Sequence, residues 1–119
     1  MATRTATQVE VRAALPAILI TWSDIQNGDD GSAFEAVGLV DKTFQITGTF
    51  GTGGSVTMQG SNDGSNWFSL TDPQGNAVTK TAAGGELLVE NPRYIRPLCT
   101  AGDGTTALTV TVLAVRGSR

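Results

Sequence analysis

The sequence predicts an all-β fold: a single antiparallel β-sandwich or jelly-roll-like domain of about eight to ten short strands. Three observations predict it. Apolar residues recur with a period of two along the chain, and no long stretch carries them at helical spacing. Turn signals rich in Gly, Asn and Asp recur about every 8–12 residues. The chain has 119 residues, the length of one domain with one core.

Residues 1–7 (Met1, Ala2, Thr3, Arg4, Thr5, Ala6, Thr7) hold nothing apolar larger than alanine except Met1. They are expected to form an arm outside the core, ordered by contact with a partner. The domain proper is expected over 8–116, with 117–119 as a tail. Val9 and Val11 alternate with Glu10 and Arg12, and Ala17 to Trp22 is the β-branched and aromatic run of a buried strand. A polar loop follows at 24–33, with turns at Asn27-Gly28 and Asp30-Gly31. Phe34 to Val40 reads as a short strand. Thr43 to Phe50 alternates cleanly, with Phe44, Ile46, Gly48 and Phe50 on one face.

Gly51-Thr52-Gly53-Gly54 is a hairpin turn, and Ser55 to Gly60 pairs back with Val56 and Met58 inward. Asn62-Asp63-Gly64-Ser65 makes the next turn, before a strand from Trp67 to Leu70. Asp72 to Asn76 is a turn by composition. Short strands are expected at Ala77 to Thr81, Glu86 to Glu90 and Arg93 to Thr100; Pro97 places the last at an edge or a bulge. Asp103-Gly104 turns the chain into Ala107 to Val115, the clearest alternation of all.

Composition excludes several classes. The net charge is −3 and the eight basic residues are scattered, so there is no basic stripe to track nucleic acid. The apolar run Ala13 to Ile20 is interrupted by Pro16 and is too short to span a membrane. Glu10 and the lack of a small-residue cleavage site argue against an export signal. Cys99 is the single cysteine, read as a buried inert thiol that suits assembly in a reducing host cytoplasm.

The chemistry of a catalytic centre is missing. No histidine is present, which removes the commonest general base and zinc ligand. Glu86 and Glu90 could pair as carboxylates, but solvated surface is the simpler reading. Asp24, Asp29 and Asp30 share one oxygen-rich loop whose spacing matches no EF-hand, so turn chemistry is favoured over calcium. No metal and no cofactor is expected. Trp22 and Trp67 have two readings. Core packing is favoured for both. The alternative makes them sugar-stacking platforms, with Asn62, Asp63 and Asn66 as polar partners.

The hairpin Gln59 to Trp67, with the later Asn91-Pro92-Arg93-Tyr94-Ile95-Arg96, resembles the discoidin (factor 5/8 type C) galactose-binding-like module over about a third of the chain. A longer resemblance runs from Ile20 to Val115. It rests on Thr21-Trp22 with its Asn-Gly-Asp loop, Asp41 to Phe50, the Ser-Asn-Asp-Gly hairpin, Asp72 to Ala77, Arg93 to Pro97 and Ala101 to Thr106. In that order the segments are similar to head decoration (cement) proteins of tailed bacteriophages. The resemblance implies a virion protein on the outer capsid surface. It would bind the major capsid protein and assemble as a homo-oligomer, a trimer for preference, with no catalytic residues to carry over. Met1 to Thr7 fall outside the match and are the candidate capsid-contact arm. A carbohydrate-binding module of a phage tail or fibre is the alternative.

Overall fold

A computed structural model describes residues 1–12 and 17–117. Twelve strands run in order: β1 (Thr3–Arg4), β2 (Ala6–Arg12), β3 (Ala17–Ile25), β4 (Asp30–Gly31), β5 (Phe34–Glu35) and β6 (Leu39–Thr49). They continue with β7 (Ser55–Ser61), β8 (Phe68–Ser69), β9 (Thr79–Lys80), β10 (Gly84–Leu88), β11 (Tyr94–Ala101) and β12 (Ala107–Arg116). No described segment is helical. The Ala13 to Pro16 part of the expected apolar run, and Ser118 and Arg119 of the expected tail, lie outside the described residues.

The strands form the two layers of a β-sandwich. One sheet is ordered β10-β6-β12-β3-β2 and is antiparallel throughout. The other is ordered β1-β4-β11-β7-β8, with β5 added on β11 and β9 on β7; only β1–β4 is parallel. Between them lies the core the alternation marks: Ile18, Ile20, Trp22, Phe44, Ile46, Val110 and Val112 from one sheet, Val56, Met58, Ile95 and Cys99 from the other. Burying each large side chain contributes about 1.5–3 kcal/mol before chain entropy is charged against it.

Three expected strands are shorter than the pattern suggests. Trp67 to Leu70 keeps only Phe68–Ser69. Phe34 to Val40 divides at a turn in which the Leu39 amide donates to the Ala36 carbonyl and Gly38 takes φ 79°. Ala77 to Thr81 contributes only β9 and a single bridge from Ala77 to Thr71. Pro97 also corrects the expectation of an edge or bulge, since β11 lies inside its sheet between β4 and β7. The Cys99 amide donates toward the β4 side, to Asp29 O, so residue 97 turns its nitrogen the same way. There it meets the gap between β5, which pairs Tyr94 and Ile95, and β4, which pairs Leu98. No ladder bond is lost.

Two aspartates set the phase of the first sheet. Between the pairs Val110–Trp22 and Leu108–Ile25, β3 advances one residue more than β12. Between Leu113–Thr43 and Val115–Val40, β6 does the same. Each extra residue is a bulge, and Asp24 (φ 55°) and Asp41 (φ 49°) take the left-handed conformation there. The shift turns Ile25 and Leu39 inward, where both are buried.

Candidate interaction surfaces

The N-terminal segment is built into its own sandwich, which corrects the expectation of an arm outside the core. Thr3 and Arg4 pair in parallel with Asp30 and Gly31. The Asp30 amide donates to Ala2 O at 3.0 Å and the Ser32 amide to Arg4 O at 2.7 Å. Asp29, only 3% exposed, is the anchor. Its carboxylate accepts from the amides of Ala2 (2.8 Å) and Gln26 (2.9 Å), and from Nε and Nη2 of Arg4 (both 2.9 Å). Burial pushes the Asp29 pKa up, but these amides and the Arg4 charge outweigh it and hold the carboxyl below its ordinary value. Thr3 Oγ1 and Arg96 Nη1 donate to Asp30 at 2.7 and 3.1 Å. Thr5 follows, the Ala6 amide donates to Ser32 Oγ at 2.9 Å, and Thr7 pairs with Thr21 in β2. Arg4 and Ala6 are half-buried, and Ala2, Thr3, Thr5 and Thr7 are exposed with Met1, which is 89% open to solvent.

The three loop aspartates therefore face protein donors. Asp24 points outward, 3.6 Å from the Arg4 guanidinium and bonded to Gln26 Nε2.

Trp22 is fully buried, paired between Ala6 and Val110, and its Nε1 donates to Ser32 O at 3.0 Å. The sugar-platform reading is corrected for this residue: no face of the ring is open. Trp67 corrects the core reading instead. It is half-buried on the outside of the second sheet, with the Arg96 guanidinium 4.0 Å above its ring. Arg96 is fixed there by Gln59 Oε1 at 2.9 Å and by Asp30. Next to it on the same strand face is Tyr94, with Arg93 4.9 Å from its ring centroid.

The hairpin does bring Asn62, Asp63, Asn66 and Trp67 together, but its polar groups are engaged, those of Asp63 within the turn and that of Asn62 with Arg93. Asp63 accepts from the Ser65 and Asn66 amides (both 2.8 Å), from Asn66 Nδ2 (2.8 Å) and from Ser61 Oγ (3.0 Å). Those bonds, led by the Asn66 amide, hold its pKa far below the usual carboxylate range. Asn62 Oδ1 accepts from the Arg93 amide at 3.1 Å. Sequence reasoning missed Arg96 as the partner of Trp67. The signal was the two-residue spacing of Tyr94 and Arg96, which puts both on one face.

Glu86 and Glu90 have separate partners. Glu86 pairs with Lys80 at 2.9 Å, while Glu90 accepts from the Thr71 amide and hydroxyl. A second missed residue is Lys42, buried at the inward position before Phe44 and donating to Leu39 O and Asn91 Oδ1. Burial lowers its pKa, against the opposing pull of Asp41 and Glu90. Cys99 is buried as expected, its thiol donating to Ala101 O at 3.3 Å.

No family model and no curated protein matches the chain. Solved structures do. The SPBc2 prophage-derived protein YomS is similar at a TM-score of 0.63 and 11% identity, over 90% of this chain and 98% of that one. The K1 cleaved adhesin domain of Lys-gingipain from Porphyromonas gingivalis W83 has a TM-score of 0.44 at 6% identity, over 98% and 85%. Hydroxypropylphosphonic acid epoxidase from S. wedmorenis has 0.41 at 10%, over 92% and 50%. The chain thus shares the fold of a prophage-derived protein. At 11% identity the likeness is one of fold, and it carries nothing particular to decoration proteins or to discoidin modules.

Proposed function

We propose that this protein is a structural component of a phage virion, a decoration protein that binds the outer surface of the major capsid lattice and stabilises the head. The observation that supports the reading is the fold shared with a prophage-derived protein over 90% of this chain and 98% of that one. Among the described residues, Asp29, Asp30, Asp63 and Arg4 are engaged in holding turns, the N-terminal segment and Arg96. Binding energy is the whole mechanism, with weak contacts repeated over identical copies adding up by avidity.

Met1 to Thr7 remain the proposed capsid contact, now as a preformed edge. β1 lies at the margin of its sheet, so a partner strand adds there with little ordering cost. Saturable binding of the purified protein to undecorated capsids tests this; absence of binding at any lattice site contradicts it.

Carbohydrate binding by a tail or fibre module is the second reading, favoured by the partly open ring of Trp67 beside Tyr94. A glycan signal lost in a folded Trp67→Ala variant would support it over capsid binding.

A further inference from the structure

The outer face of the five-stranded sheet carries an apolar row beside an uncharged polar one. One cross-strand row runs Val9, Leu19, Leu113, Thr43, Leu87 from edge to edge, and the next runs Thr7, Thr21, Thr111, Gln45, Gly85. Both rows are uncharged. Val9 is 59% exposed, Leu113 40% and Leu87 43%. The polarity of β2 is inverted. Gln8 and Glu10 share the register of core-facing Ile20 and Ile18, yet both are exposed, while Val9 points outward with Leu19. A strand meant for water on its outer side would carry these residues the other way round.

The two margins of this face differ: one presents exposed side chains and the other a depression. Val9 and Val11 stand exposed on the β2 edge. At the β10 margin, Val40, Leu87 and Val89 line an open depression of about 280 Å³, with Asp41, Pro73 and Asn91 around them. Four strand spacings, about 19 Å, separate the two features. A two-fold axis in the plane of the face and parallel to the strands lays β2 of one copy over β10 of the other. The contact is then made twice.

Area and charge favour a second copy as the occupant. Five strands at about 4.8 Å and some seven residues at about 3.3 Å give roughly 500–600 Å² of flat face per copy. Two copies bury about 1,000–1,200 Å², which reaches the range of specific interfaces. With a net charge of −3 the chain repels itself over most approaches, and these rows bring no like charges together.

We propose that the protein forms a two-fold dimer through this face, Val9 and Val11 of each copy seated against Val40, Leu87 and Val89 of the other. The closed assembly this face supports is two-fold, in place of the three-fold trimer that the resemblance implies. It does not rest on capsid binding, although Thr7 belongs both to this face and to the proposed capsid contact.

Sedimentation velocity of the full chain from about 1 μM to about 1 mM tests it, a range that brackets weak and moderate association. The expected mass rises toward twice 12.3 kDa. Val9→Glu and Leu113→Glu, at exposed positions, should each weaken the dimer at least ten-fold while leaving the melting temperature within a few degrees. Should Leu113→Glu misfold, Val9→Glu on the edge strand carries the test alone. A Val9→Cys/Leu87→Cys variant should form a disulfide-linked dimer on mild oxidation, since Cys99 is buried and does not compete. A monomer throughout, a trimer, or a dimer indifferent to the Val9 charge would overturn the proposal. A monomeric protein that loses capsid binding on Val9→Glu would instead assign the face to the capsid.

Discussion

The Arg4 guanidinium donates twice, at 2.9 Å each, to the buried carboxylate of Asp29. That pair ties the start of the chain to a loop 25 residues further on. Deleting residues 1–7 removes β1, the first pairs of β2 and every N-terminal donor to Asp29, leaving a buried charge short of partners. Such a loss costs about 3 kcal/mol or more. The expected result is a melting temperature at least about 10 °C lower by calorimetry. A shift of only a few degrees would mean that the segment is dispensable to its own sandwich.

The same carboxylate gives the fold a pH dependence. Its pKa is lowered in the folded state, so its stabilisation is full above the ordinary value of 3.8 and is lost as pH falls below it. Asp29→Asn should be less stable near neutrality and should show a flatter decline in acid. Parallel acid-denaturation curves for the two proteins would rule this out.

The two tryptophans should respond unequally to truncation. Trp22→Ala empties a fully buried site and should cost about 3–5 kcal/mol. Trp67→Ala loses a half-exposed ring and a cation–π contact, worth about 1–2 kcal/mol. Chemical denaturation of both variants decides it, and equal losses would contradict the placement of Trp67.

Gly31 fits between Trp22 and Pro97 because it has no side chain. A Cβ there would lie 2.5 Å from both Pro97 Cδ and Trp22 Cδ1, which are parts of rigid rings. Gly31→Ala should therefore destabilise by about 1–3 kcal/mol through overpacking. A neutral effect in urea titration would show that the two rings can separate.

Much of this was legible in the sequence. The two-residue period placed Phe44, Ile46, Val56, Met58, Val110 and Val112 in the core, and the composition of Asn62 to Ser65 marked its turn. What local pattern could not carry was any feature fixed by a distant partner. Residues 1–7 look dispensable because they lack apolar bulk, whereas hydrogen bonds to Asp29 and Asp30 hold them. The bulges at Asp24 and Asp41 break the period itself, so Ile25 and Leu39 fall out of phase with the strands they belong to. Lys42 keeps the inward phase of Phe44, but its charge masks that phase, so the pattern shows the strand only from Thr43 although it begins at Leu39. The size of Trp67 points to the core, whereas its place is set by Arg96 on another strand.

The central claim, attachment to a capsid lattice, is tested most directly by counting copies of this protein in purified particles. Quantitative mass spectrometry against the major capsid protein would give the ratio. A decoration protein is expected at a fixed stoichiometry commensurate with the capsid lattice, in intact heads freed of tails. A handful of copies per particle, recovered with tails and absent from isolated heads, would contradict it.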